Sequence, residues 1–363
     1  MHIVFITESM GANSIGRTYC LWLLARELGW TTTVLTTVGT EIWEPLAGTE
    51  FANDVQCVEP RSLQGAVPVT TTLLVAVKPL PRSLGLAVPI AARTGLPIIV
   101  DVDDPDLEVR RRAGEPLMAG LRWIRRPLRS ISDMRLRRWA TTLPSFVSNP
   151  WLQARYGGTL IPHARPLSAL GEFRDSADMN IAFVGTRHPH KGVDVLRAAI
   201  AELQDGEAKT TLVVTDDAPG DAQDWESWVG RTTLAEGLDI TRRADVVVLP
   251  SLSTRHAIGQ LPAKLIDAMM LGRAVVVSDV PPLPWAVGDG GIVVEADAFP
   301  VLVSALRTLR DPAARRALGV RAREHAQREY SVEGLATRFE AACESAIDTV
   351  SKVRRGSTRR LAP

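Results

Sequence analysis

The sequence holds 363 residues, 45% of them hydrophobic and 23% charged, which suits a soluble chain of two domains rather than one. A net charge of +1 excludes a global field that would select nucleic acid or a membrane surface. Cys20, Cys57 and Cys343 lie too far apart for metal-ligand spacing or a disulfide framework, which fits buried free thiols in a reducing, cytoplasmic compartment. HIVFIT at 2–7 is too short for the apolar region of a signal peptide, and Glu8 follows it at once. No run approaches the roughly 18 apolar residues of a bilayer-spanning helix.

In chain order, HIVFIT (2–7) reads as a strand and 16–28 as a helix, followed by the strand TTTVLTT (31–37). TTLLVAV (71–77) leads to a helix near 82–94 and to LPIIVDVDD (96–104). Continuous apolar runs predict strands buried on both faces, and their alternation with helices predicts a parallel, doubly wound α/β sheet. The segment 159–180, TLIPHARPLSALGEFRDSADMN, is polar and turn-rich, as a linker should be. After it the pattern repeats. NIAFVG (180–185), helix 191–203, TTLVVTD (210–216), ADVVVLPS (244–251), helix 261–271, AVVVSD (274–279) and GGIVVE (290–295) follow in turn, then helices 297–309, 312–328 and 331–349. The expected domains are 1–165, 166–330 and a terminal segment 331–363, a last helix with a basic, flexible tail from residue 352. Two such sheets should face a central cleft, with ligands outside the carboxyl ends of the strands.

Three loops after strands carry chemistry. GANSIGRT (11–18) has the glycine spacing of a phosphate-cradling hydrolase loop, but Arg17 stands where that motif needs Lys, and the two are not geometric equivalents. FVGTRHPHKGVDVL (183–196) places Arg187, His188, His190 and Lys191 before a helix; cations at a helix start suit a diphosphate, although a solvated loop has the same composition. PSLSTRHAIGQLPAKLIDAMM (250–270) sets Pro262 near a first helical turn. It also puts Lys264 and Asp267 on one helix face, either as a surface pair or as ligands for phosphate and ribose. A fourth feature is DVDDPDLEVRRR (101–112), whose acids are read as structural or ligand-facing residues rather than a metal site.

The two later loops together resemble the donor domain of the GT-B glycosyltransferases of the large group 1, retaining (family 4-like) class. That pattern runs F-V-G, an Arg-bearing loop and Lys-Gly, then P-S and P-x-K-L-x-[ED]-A-M. Here it reads FVGTRHPHKG and PSLSTRHAIGQLPAKLIDAM, over roughly 180–295. The resemblance implies the transfer of a sugar from a nucleotide-diphosphate donor with retention, without metal or cofactor. It implies that Arg187 and Lys191 stabilise the leaving diphosphate and that Asp267 holds the ribose. Gly185, His256, Gly259, Gln260, Leu261 and Lys264 would complete the donor site.

Gly11, Gly16, Arg17, Asp101 and Asp104 would line the acceptor side, facing a saccharide, lipid-linked or small-molecule acceptor. The chain departs from the pattern at Gly259, where many members carry a first acid, and His256 is its candidate substitute. Arg273 and Ala274 stand where a basic residue and Pro are usual. The Arg-rich stretch 121–140 with Trp123 and Trp139 reads either as a peripheral contact with an anionic membrane or as a solvated helix with its tryptophans packed inward. A catalytically degenerate partner subunit and a nucleotide hydrolase are the competing readings.

Overall fold

A computed structural model describes residues 1–110, 127–171, 173–204, 206 and 208–359. The chain divides into two compact units, 1–164 with the segment from Leu335 onward, and Arg165–Gly334. In the first unit the strands are β1 (His2–Thr7), β2 (Thr31–Thr36), β3 (Val55–Cys57), β4 (Leu73–Val77), β5 (Ile98–Val102), β6 (Ser145–Val147) and β7 (Thr159–Leu160). They form one sheet in the order β3-β2-β1-β4-β5-β6-β7, with parallel pairing throughout. The second unit holds β8 (Met179–Phe183), β9 (Thr210–Val214), β10 (Glu226–Trp228), β11 (Val246–Leu249), β12 (Ala274–Ser278) and β13 (Ile292–Val294). Their order is β10-β9-β8-β11-β12-β13, again parallel. Both are doubly wound Rossmann-like sheets.

Helices of seven or more residues are α1 (Ser14–Glu27), α2 (Leu84–Thr94), α3 (Pro127–Thr142), α4 (Pro150–Tyr156) and α5 (Val193–Ala201), then α6 (Leu234–Arg243), α7 (Ala263–Met270), α8 (Phe299–Thr308), α9 (Pro312–Tyr330) and α10 (Val332–Arg359). Because strand side chains alternate between faces, each buried strand feeds two apolar layers. Val246 and Val248 of β11 join Leu196, Ile200, Leu302 and Leu306 on one face. Val247 and Leu249 join Leu265, Met269 and Tyr330 on the other. In the first unit Val4, Ile6, Leu74 and Ala76 pack under α2 and α4 through Ile90, Leu152 and Tyr156. The last helix belongs to this unit, where Phe339 lies 5.8 Å from the Trp30 ring and 5.1 Å from the Phe146 ring.

Several expectations are adjusted. The helix placed at 16–28 begins at Ser14, so the second half of GANSIGRT is already helical. Residues 159–160 of the expected linker are an edge strand. The last helix runs on to Arg359, past the start of the expected tail, and residues 360–363 lie outside the described residues. So do residues 111–126, which take in Arg111, Arg112 and Trp123. In the described part of the basic stretch, Trp139 packs against the core, and Arg137 pairs with Glu108 at 3.2 Å. Among the described residues no helix is long and apolar enough to cross a membrane.

Candidate functional site

In each sheet the strand order reverses beside the unit's first strand, between β1 and β4 and between β8 and β11. Loops at the carboxyl ends of such strands are where open α/β sheets bind ligands. In the second unit these are the loops after β8 and β11.

The chain leaves β8 through Gly185, at φ +135. A Cβ there would lie 2.7 Å from Lys264 Nζ, so the backbone angle and the lysine both demand glycine. Its N–H donates to Thr215 Oγ1 at 2.5 Å. The backbone N–H of Arg187 donates to Asp216, and its guanidinium donates to Asp194 Oδ1 at 2.7 Å. A 3-10 turn over Pro189–Lys191 then leads to Gly192 at φ +67. A Cβ at Gly192 would meet the Pro250 carbonyl oxygen at 1.9 Å. That close approach presses this loop onto the one after β11, where Leu252 N–H donates to the His190 carbonyl at 2.9 Å. Gly192 is the N-cap of α5 and supplies no side-chain acceptor, so the first-turn N–H groups of α5 have no side-chain cap.

Two lysines meet in this corner. Lys191 Nζ donates to the Thr186 carbonyl at 2.9 Å and to Thr186 Oγ1 at 3.0 Å. Burial pushes its pKa down to about 8, against the pull of Asp216. Lys264, in the first turn of α7, has its Nζ 3.8 Å from the centre of the Phe183 ring. That nitrogen is buried and has no hydrogen-bond partner among the described residues. Burial, then the neighbouring Lys191, hold its pKa well below the usual lysine range. His188 and His190 stack at 5.7 Å, and His190 lies 6.0 Å from His256. Burial, then Lys191 and the neighbouring rings, push His190 down to about 4.

The surface pair of Lys264 with Asp267, one sequence reading of α7, does not form. Asp267 is bound by the Arg165 guanidinium. Arg165 is itself held by backbone bonds from Arg165 N–H to the Tyr330 carbonyl at 2.9 Å and from Val332 N–H to the Arg165 carbonyl at 3.0 Å. Gly259 takes φ +91 and donates its N–H to the Pro281 carbonyl at 2.7 Å. Gln260 follows with its N–H on the Ala257 carbonyl at 3.0 Å. The Leu261 side chain belongs to the apolar layer under α7, so only its backbone is placed to meet a ligand. Arg273 is 2% exposed and donates to the carbonyls of Ala244 and Gly171 at 3.1 and 3.0 Å; it ties the chain together behind the sheet.

The corresponding corner of the first unit is built differently. Arg17, expected on the acceptor side facing a ligand, is 1% exposed. Its guanidinium donates to Asp101 Oδ1 at 2.7 Å and to the Ile161 and Pro162 carbonyls at 2.7 and 3.1 Å. The reason is the buried Asp101 carboxylate of β5, which with the Ile161 and Pro162 carbonyls takes up the guanidinium. The same pairing removes the hydrolase reading, since Arg17 has no free fork for a phosphate. Gly11 and Gly16 are not at positive φ; Gly16 is needed because a Cβ would strike the Trp43 ring at 2.8 Å.

Asp104 accepts from Lys78, a residue the sequence reading did not single out. Lys78 follows β4 at φ +65 and also pairs with Asp106 at 3.6 Å and Asp103 at 3.9 Å. Although burial works against them, these acids hold Lys78 firmly protonated, while burial raises Asp106 to about 7. His163 lies 3.4 Å from Cys20 Sγ through Nδ1 and 3.5 Å from Asp103 Oδ1 through Nε2. Signals for both were present: a lysine directly after a buried strand, and a lone histidine in IPHARP.

Comparison with known proteins agrees with this geometry. The family profile described as "Glycosyl transferases group 1" matches residues 178–311. The chain is 29% identical over 194 residues to the D-inositol 3-phosphate glycosyltransferase of Segniliparus rotundus, a match covering 46% of this chain and 41% of that protein. It therefore spans less than half the length of that relative. Two solved structures superpose on nearly all of it. Sucrose-phosphate synthase from Thermosynechococcus elongatus does so with TM-score 0.66 and 16% identity, covering 96% of this chain and all of that one. The Anabaena protein Alr3699/HepE, solved with UDP and glucose, does so with TM-score 0.73 and 14% identity, covering 95% and 100%. Residues 178–311 thus match the group 1 glycosyl transferase profile, and the two Rossmann-like units share the GT-B fold of the solved neighbours.

Proposed function

We propose that this protein transfers a sugar from a nucleoside-diphosphate donor to an acceptor hydroxyl, and that the donor's diphosphate lies on the loops after β8 and β11. The observation that carries the reading is the buried Lys264 amine with no hydrogen-bond partner among the described residues, set beside Lys191 at the point where the strand order reverses. A buried amine is costly unless paired, and a diphosphate supplies the missing partner. The group 1 profile over these residues and the UDP held by the Anabaena neighbour support the same assignment.

In this reading the bond from the anomeric carbon to the leaving phosphate breaks as negative charge gathers on the diphosphate. Lys191, Lys264, Arg187 and the uncapped N-terminus of α5 stabilise that charge, the largest lever on such a reaction. This removes the need for a metal or other cofactor. Asp267, oriented by Arg165, accepts from the ribose hydroxyls. With glycine at 259 and Asp267 already in an ion pair, neither position offers a free nucleophilic carboxylate. Transfer with retention follows if the acceptor oxygen bonds to the anomeric carbon on the face the phosphate leaves, while a phosphate oxygen takes the acceptor's proton.

A thermal-shift series with UDP, GDP, ADP, ATP and GTP, with and without Mg²⁺, tests the donor site. At 100 times its dissociation constant a ligand adds about 2.7 kcal/mol of stability. The expected result is a shift by one diphosphate without metal, lost in Lys191→Ala. A shift only with ATP or GTP and Mg²⁺ would overturn it. Turnover of the matching nucleotide sugar separates an enzyme from an inactive partner subunit.

A further inference from the structure

Three of the chain's six histidines gather around the two lysines of the donor loops. His188 and His190 stack nearly parallel, 6° apart, and His190 meets His256 at 33°. The acids within reach are already engaged. Asp216 accepts from the Arg187 N–H. Asp194 pairs with Arg187 at 2.7 Å and lies 3.9 Å from Arg197. Asp267 pairs with Arg165. Lys264 Nζ has no partner among the described residues, and the bonds of Lys191 Nζ go to Thr186 alone. The cluster is thus a set of proton-accepting groups packed closely together with no spare counterion.

We propose that this cluster is charged by the ligand it binds: a nucleoside diphosphate seats on it together with protons drawn from solvent onto Lys264 and the stacked rings of His188 and His190. The inference rests on the donor-site reading above and adds to it a proton linkage. Two protonated imidazoles repel one another when stacked, and each repels Lys191 and Lys264, so the empty cluster favours neutral rings and a neutral Lys264. The directions agree with that geometry. Burial and then Lys191 lower both His188 and Lys264, and burial with the same neighbours lowers His190 to about 4. An incoming polyanion adds an attraction for the charged forms that opposes these shifts.

The groups facing the cluster are Arg187, His188, His190 and Lys191 from the loop after β8, Asp216 from the end of β9, Arg255 and His256 from the loop after β11, Lys264 from α7 and Asp194 from α5. The basic groups outnumber the acids Asp216 and Asp194, and both of those acids are bonded to Arg187. Net uptake is therefore the expected direction, and affinity should fall as pH rises.

Calorimetric titration of the full chain with UDP tests this. Measurements at pH 7.5, above the second ionisation of a phosphate near 6, are repeated in buffers of low and high ionisation enthalpy. The expected slope of observed enthalpy on buffer enthalpy corresponds to uptake of about half a proton or more per UDP, with affinity falling severalfold from pH 6.5 to 8.5. Lys264→Arg keeps a cation that does not titrate, so it should bind UDP with a smaller slope. His190→Gln should flatten the pH dependence below 7 and provides the same check should Lys264→Arg fold poorly. UDP binding with zero slope, or a slope unchanged in both variants, overturns this inference and leaves the donor site standing. Failure of UDP, GDP and ADP alike to bind overturns the donor site, and this inference with it.

Discussion

The two sheets share one winding order, yet the corners where that order reverses are opposites in charge. In the first unit Arg17 and Lys78 meet Asp101, Asp103, Asp104 and Asp106, and each cation has an acid. In the second, Lys191 and Lys264 meet a hydroxyl, a carbonyl and an aromatic face. Topology places a crevice in both, but only the corner whose buried basic groups lack acids suits an anion. A buried ion pair consolidates the fold around it; a buried amine without a partner suits an anionic ligand.

The sharpest way to break this contrast is to delete one cation from each corner. Arg17→Ala leaves Asp101 buried with its charge unmatched. We expect a loss of about 3–5 kcal/mol, read from urea unfolding or as failure to accumulate folded protein; a loss below about 1 kcal/mol would dissolve the distinction. Lys264→Met should act in the other direction. Removing an unsatisfied buried amine should stabilise the unliganded protein by about 1 kcal/mol or more while abolishing the UDP-dependent thermal shift.

Gly192→Ala addresses how the second corner is assembled. At φ +67, with the Pro250 carbonyl where the methyl would go, the variant should lose about 1 kcal/mol or more and bind UDP more weakly, since Lys191 precedes it. The smallest effect is expected from His163. Burial opposes its charge, but Asp103 and Cys20 outweigh burial and raise its pKa. Its contribution to stability is then full below the unfolded value of about 6.5 and is lost as pH rises through the folded value. Melting temperatures of the protein and of His163→Gln should differ most at pH 6 and converge as the pH is raised.

Much of the fold was legible because the central strands are continuous apolar runs: LLVAV, IIVDV, VVVL and AVVVS all appear where the sequence placed them. The short strands VQC, SFV, TL and ESW were missed because two or three residues carry no period. Helix α6 was missed although Thr233 and Glu236 form a capping box at its start, a signal that was there to read. In the loops after β8 and β11, the sequence singled out Gly185, Lys191 and Lys264, and the fold brings them into one corner. Spacing could not show that Arg165, 102 residues before Asp267, would claim that carboxylate. Nor could it show that Arg17 would reach Asp101 across 84 residues. Such long-range pairings are set by the sheet order, which no local pattern encodes.

The paired backbone bonds of Arg165 carry a further consequence. They place the first residue of the second unit against Tyr330 and Val332, a few residues before that unit ends at Gly334. The unit is therefore a cassette whose two ends are clasped side by side, inserted into a chain that resumes afterwards to finish the first unit with α10. Such a cassette can be cut out as one continuous polypeptide, 165–334, or re-opened at a surface turn with its old ends joined, without crossing the core. Its exchange between related chains requires two junctions, and these lie side by side.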